Sequence, residues 1–406
     1  MASCIGPVRA VLVAACCLAA VACGGGGGSG GSGTPPPPPP TNNVVSVIVD
    51  EGPTSQSVNT LFTSVTVCVP GSTASCQTID HIQVDTGSYG LRLLGPVLTV
   101  TLPVETLASG NSLVQCAQFV DGFSWGPVAL ADVQIAGETA KSVPVQVIGD
   151  SRFTTVPAAC SGTGTAEDTV ASFGANGILG IGPFELDCGN CDTVTHGLYF
   201  ACATATTCTD TTVPNAMQVP NPVTHFAADN NGSMIDLPAV AAGGAVTLSG
   251  SLIFGIDTQS NNKSGTQTVL TVDGAGELAI TYNGQTLANS FIDSGSNGIY
   301  FADSSIATCT TTLTSFYCPG NTLTLGLSIQ GQNGVMVNNL TFGVGNAQTM
   351  LNAHPTFNAF PELAGTLPAG NAGTFDYGLA FFYGKRVAVA VEGNKTSVGT
   401  GPYIAF

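Results

Sequence analysis

The stretch His81-Ile82-Gln83-Val84-Asp85-Thr86-Gly87-Ser88 returns, 208 residues later, as Asn289-Ser290-Phe291-Ile292-Asp293-Ser294-Gly295-Ser296. In each, a run suited to a β-strand ends in Asp and then turns sharply through Gly, which leaves a carboxylate on a tight loop at a strand end. One such loop is a turn. Two of them predict a shared site in which the halves that carry them face each other and Asp85 and Asp293 form one dyad.

Working outward, each Asp loop is followed by an apolar run broken by Gly. Asn176-Gly177-Ile178-Leu179-Gly180-Ile181-Gly182 follows the first, and Tyr377-Gly378-Leu379-Ala380-Phe381-Phe382 the second. The separations are similar, 95 residues from Asp85 to Gly180 and 85 from Asp293 to Gly378, as expected of two copies of one β lobe. Strand-like runs occupy most of the rest: VVSVIVD from Val44, SVTVCVP, GLRLLGPVLTVTL, and VAVAVEG as a final strand. Val246–Asp257 reads as a strand pair. The segment Cys116–Ile135 reads as a hairpin whose tip contains Gly122, Trp125 and Gly126. A hairpin carrying Phe119, Phe123 and Trp125 is better placed leaning over a cleft than in open solvent.

Composition agrees with an all-β chain of two lobes. At 406 residues it is long enough for two substantial cores, it holds 52 Gly, and only 8% of its residues are charged, so helix formers are scarce. The formal net charge of −17 offers no basic patch for nucleic acid and repels anionic membrane surfaces.

The first 43 residues stand apart. Residues 11–22 (VLVAACCLAAVA) follow a single basic residue, Arg9, and form an apolar run too short for a comfortable membrane span, so 1–22 reads as a signal peptide. The box LAAVAC ending at Cys23 resembles a bacterial lipoprotein cleavage site, with Cys23 the lipidated first residue; the alternative is an ordinary secretory signal. Residues 24–43, a Gly/Ser run and then a polyproline run, are a spacer. The expectation is an outer-membrane lipoprotein of the cell envelope, a monomer whose membrane contact is the lipid anchor. Its body would comprise an N-terminal lobe over 44–256 and a C-terminal lobe over 257–406.

Of the 14 cysteines, four fall within residues 1–23 and ten remain. An even set in an exported chain reads as disulfides, with Cys68 and Cys76, Cys202 and Cys208, and Cys309 and Cys318 spaced to close short loops. Cys188, Cys191, Cys202 and Cys208 also allow a zinc site. The four histidines, His81, His196, His225 and His354, lack metal-ligand spacing. No Gly-x-Ser-x-Gly elbow supports Ser-His-Asp chemistry.

At these residues the chain resembles the pepsin-like aspartic proteases, and more specifically an uncharacterised family of bacterial lipoproteins with a pepsin-like core. DTGS at Asp85 and DSGS at Asp293 fit the catalytic-loop pattern. NGILGIG resembles the apolar-Gly turn of the first lobe, SLIFGID (Ser251–Asp257) the strand that crosses between lobes, and YGLAFFYGKRVAVAVEG the last strands. The resemblance implies two β lobes around a cleft, with Asp85 and Asp293 at its floor sharing one proton and activating a water against a peptide bond. Neither metal nor cofactor is implied. It further implies that Thr86 and Ser294 brace the loops, that Gly87 and Gly295 form their turns, that Ser88 and Ser296 bond the carboxylates, and that Phe119 and Trp125 belong to a substrate-covering flap.

Three residues depart from the family pattern. Phe119 stands where a flap Tyr is usual, Arg92 where a Trp is frequent, and Asp376 where an aliphatic residue is usual. Because both Asp loops are intact, the expected activity is nonetheless endopeptidase action on a peptide or protein substrate. The alternative is a catalytically silent binding lipoprotein of the cell envelope on the same fold. A glycosidase using the two carboxylates is remoter, because such pairs are not usually carried on Asp-Thr-Gly loops.

Overall fold

The computed structural model describes residues 43–120, 122–367, 371 and 373–406. The segment expected to be a signal peptide, Cys23 and all but the last residue of the expected spacer lie outside the described residues. The described chain is all-β and two-lobed, as the sequence predicts, with one sheet of 16 strands and another of seven.

The internal repeat is a repeat of topology. In the first half, strand Cys76–Asp85 runs parallel to Gly177–Ile181, which is antiparallel to Tyr89–Leu94, which is parallel to Glu138–Ile148. In the second half, Gln285–Ile292 runs parallel to Asp376–Tyr377, which is antiparallel to Ile299–Tyr300, which is parallel to Ala364–Gly365. Each Asp thus ends a strand whose neighbour is the apolar-Gly run downstream. The glycines are sterically required there. A Cβ on Gly180 would lie 2.5 Å from the Tyr89 nitrogen, and one on Gly378 would lie 2.1 Å from the Gly298 carbonyl oxygen.

A connecting layer joins the halves. Val44–Val49, Leu248–Phe254, Gly232–Asp236, Arg386–Ala390, Tyr403–Ala405 and Val269–Thr271 pair in that spatial order, every pair antiparallel. Leu61–Cys68 then links the layer to the first lobe through Val44–Val49. Two sequence expectations are corrected here. Val246–Asp257 holds one strand, Leu248–Phe254, because its partners come from distant segments on both sides. The last strand is Tyr403–Ala405, beyond VAVAVEG.

A continuous apolar core runs from Val47 and Leu61 through Val84 and Leu179 to Ile292, Phe301, Phe375 and Tyr377. In the second lobe it is aromatic: Phe301 and Phe375 stack with centroids 5.1 Å apart, and Tyr377 meets Phe381 at 4.8 Å. Because side chains alternate along a strand, burying Phe375 and Tyr377 on this face turns Asp376 to the other.

Five disulfides pair all ten cysteines of the body: Cys68–Cys76, Cys116–Cys160, Cys188–Cys191, Cys202–Cys208 and Cys309–Cys318. The zinc alternative falls, since each of its four thiols is consumed in a disulfide.

Candidate active site

The two Asp loops meet across the lobes, held by reciprocal hydrogen bonds. The Ser294 amide donates to Thr86 Oγ1 (2.9 Å) and the Thr86 amide to Ser294 Oγ (3.1 Å). Each hydroxyl donates onward to the opposite strand, Ser294 Oγ to the Val84 carbonyl (2.8 Å) and Thr86 Oγ1 to the Ile292 carbonyl (3.4 Å). Gln83 adds a further link, its Nε2 donating to the Gly295 carbonyl at 2.8 Å. Both hydroxyls are buried and use donor and acceptor capacity together, so neither can turn without leaving a buried group unpaired.

This clasp brings the carboxyls together. A Cβ on Gly87 would lie 2.7 Å from Asp293 Cγ, and one on Gly295 would lie 2.5 Å from Asp85 Oδ1. The glycines therefore admit the partner's carboxyl, in addition to forming the turns. Each also donates its amide to the Asp two residues before it, at 2.7 Å in both loops.

The environments of the two carboxyls differ. Burial, the charge of Asp293 and a hydrogen bond with Asp293 hold the Asp85 carboxyl well above the usual carboxylate range, against smaller lowering effects from Ser88 and Gly87. Ser88 Oγ is buried and makes no well-formed hydrogen bond among the described residues. Ser296 Oγ, its counterpart, lies 2.9 Å from Asp293 Oδ2. When Ser296 donates to it, Asp293 accepts an amide and a well-placed hydroxyl, where Asp85 accepts the Gly87 amide and only a weaker contribution from Ser88, so the hydrogen bonds then favour Asp293 as the anion and Asp85 as the proton holder.

Asp376 is buried beside the dyad, its Oδ2 2.6 Å from Ser296 Oγ. Burial, followed by the charge of Asp293, raises its proton affinity well above the usual range, and the Ser296 hydrogen bond opposes the rise only in part. Its Oδ1 is buried without a partner among the described residues. A buried carboxyl beside another carboxylate and without a cation favours its neutral form.

The structure also revises the expected flap. Ser112–Gln118 and Gly122–Ile135 form the hairpin, and Trp125 pairs opposite Cys116 within it, away from the tip. Trp125 is buried against Phe200 (centroids 5.2 Å) with its Nε1 donating to the Phe153 carbonyl at 2.8 Å. It packs the hairpin onto the lobe and does not line a cleft, because the strands already pair at Gln118 and Phe123, which leaves Trp125 within the paired part. Phe119 does sit at the hairpin end, half-buried and edge-on to Phe173 at 6.3 Å.

Arg92 does not intrude on the dyad. It is buried and paired with Asp187 (Nη2 to Oδ2, 3.1 Å), whose other oxygen accepts from the Tyr199 hydroxyl at 2.7 Å. Gln115 of the hairpin donates to Asp187 and to Tyr199 Oη. Sequence reasoning missed Asp187, Tyr199 and Gln115, since no spacing or motif links them. The one signal was the unexplained Arg92, a cation that burial obliges to find an anion. Tyr89, also missed, lies near the dyad: burial and then the charges of Asp85, Glu392 and Asp293 push its phenol up.

Two lobes joined by a connecting sheet, with one Asp-x-Gly loop from each held face to face, define the pepsin-like aspartic protease fold. The crystal structure of an aspartic proteinase from Irpex lacteus superposes with a TM-score of 0.51, covering 89% of this chain and 96% of that one at 16% identity. Residues 39–406 match the family described as "Protein of unknown function (DUF3443)", and the chain belongs to that family. No curated protein sequence matches the chain.

Proposed function

We propose that the protein is an aspartic endopeptidase. The observation that carries this reading is the intact dyad: both carboxyls are present, in contact, and locked by the Thr86–Ser294 clasp. Two carboxyls this close resist double ionisation, so the pair keeps one proton over a wide pH range, the property for which pepsin serves as the reference case.

The chemistry follows from the asymmetry. Asp293 takes a proton from water as its oxygen bonds to the peptide carbonyl carbon, while Asp85 gives its proton to the carbonyl oxygen. The resulting tetrahedral diol collapses with cleavage of the C–N bond. Asp293 passes its proton to the departing amine and Asp85 recovers one from the diol, which restores the starting state. Anchoring through a lipid on Cys23 would present this activity at the outer membrane, a placement supported by the LAAVAC box and the spacer after it.

The test incubates the purified protein with a diverse peptide mixture from about pH 3 to 7, a span bracketing carboxylate titration, with products read by mass spectrometry. Cleavage that disappears in both Asp85→Asn and Asp293→Asn is the expected result. A folded wild type that cuts nothing yet retains peptides on a column would replace the endopeptidase by the binding lipoprotein.

A further inference from the structure

Ser296 has one hydroxyl hydrogen and two carboxyl claimants, Asp293 Oδ2 at 2.9 Å and Asp376 Oδ2 at 2.6 Å. It can donate to one of them only. If it donates to Asp293, the bond to Asp376 must run the other way, from a protonated Asp376 into Ser296 Oγ. If Asp376 ionises, the shorter contact claims the hydrogen and Asp293 loses a donor. We infer that Asp376 is a positioning residue that, while neutral, keeps the Ser296 hydrogen on Asp293 and so selects Asp293 as the ionised member of the dyad.

The rest of the geometry agrees. Asp376 stands opposite Phe291, two residues before Asp293, and Ile178 stands opposite Gln83, two residues before Asp85. The device is therefore one-sided: the first lobe has an aliphatic residue at the matching position, and among the described residues its Ser88 Oγ makes no well-formed hydrogen bond. The flanking Phe375 and Tyr377 are fixed in the aromatic core, which denies Asp376 the rotation it would need to reach solvent. Among the described residues, the charged groups facing it are Asp293 and Asp85, with Tyr300 opposite on the adjoining strand. None of these is a cation that would stabilise its anion. A neutral carboxyl, a hydroxyl and an anion in series also polarise one another, which strengthens the bond onto Asp293.

The inference rests on the endopeptidase reading for its effect on rate, but the hydrogen-bond exchange exists whether or not the protein cuts. Two measurements separate these. The first is the pH dependence of kcat/KM on one cleaved peptide for wild type, Asp376→Asn, Ser296→Ala and the double variant. Asp376→Asn cannot ionise, and its amide can still donate to Ser296. Its alkaline limb is expected about one pH unit or more above that of the wild type, with no such shift when Ser296 is already Ala. A limb that coincides with the wild type overturns the inference. So does a limb that moves to lower pH, which would mean that the Asp376 charge acts by holding the proton on Asp85.

The second measurement is a carbon-13 NMR titration of aspartate carboxyls in the same proteins. The carboxyl signal of Asp293 is expected to move as Asp376 ionises in the wild type and to lose that movement in Asp376→Asn; an Asp293 signal indifferent to Asp376 overturns the inference even in a protein that cuts nothing. Asp376→Ile, which copies the first lobe, serves for both measurements if the Asn variant does not fold.

Discussion

Thr86 and Ser294 each accept the other's backbone amide on a side-chain hydroxyl, at 2.9 and 3.1 Å, across the junction of the two lobes. Thr86→Ala removes the acceptor for a buried amide and the donor for a buried carbonyl. The expected cost is about 1–3 kcal/mol of unfolding free energy, read by chemical denaturation, with Thr86→Ser restoring most of it.

Gly87 and Gly295 occupy positions where any side chain meets the opposing carboxyl within 3 Å. Gly87→Ala and Gly295→Ala are expected to push the carboxyls apart and to lower kcat/KM by roughly 100-fold or more, the scale set by displacing reacting groups by about 1 Å. Unchanged cleavage would show that the dyad does not need this contact.

Arg92 and Asp187 form an ion pair with both side chains buried. Arg92→Met leaves Asp187 buried without a cation and is expected to cost about 3–5 kcal/mol, whereas Arg92→Met/Asp187→Leu regains a substantial part because no isolated charge remains. A double-mutant cycle by denaturant titration measures the difference.

Stability should favour acid. Asp85 and Asp376 have proton affinities raised on folding above an ordinary value of 3.8, so the native state binds their protons more tightly than the unfolded state does. Their contribution is complete below about pH 4 and is lost as pH rises through their folded values. Asp257 works in the opposite sense. Burial pushes it up, but hydrogen bonds from Ser264 and Ser397 outweigh that and bring it to about 2, so its contribution is present above about pH 4 and is lost as pH falls toward 2. Unfolding free energies at pH 2, 4 and 7 should therefore peak near pH 4, and Asp376→Asn should flatten the fall toward neutral pH.

Much of the site was legible because its signals are local. An Asp followed by Gly at a strand end specifies a loop, and its recurrence with a matched Gly-broken run specifies a duplicated lobe, so Asp85, Asp293 and their neighbours stood out without coordinates. Trp125 was misread for a local reason too. Gly122 and Gly126 both permit a turn, and the choice between them is made by the register with Ser112–Gln118.

The sequence by itself determined an all-β chain with two Asp loops, cysteines spaced for short disulfides, and residues out of keeping with the family at Phe119, Arg92 and Asp376. Tertiary structure alone decided what those residues do. Arg92 finds Asp187 95 residues away, and Asp376 reaches Ser296 80 residues away because Phe375 and Tyr377 are claimed by the core. Strand alternation says that neighbours point to opposite faces, but which face meets another buried charge depends on how distant strands pair. A buried polar group's partner is set by that pairing, and no stretch of sequence contains both halves of it.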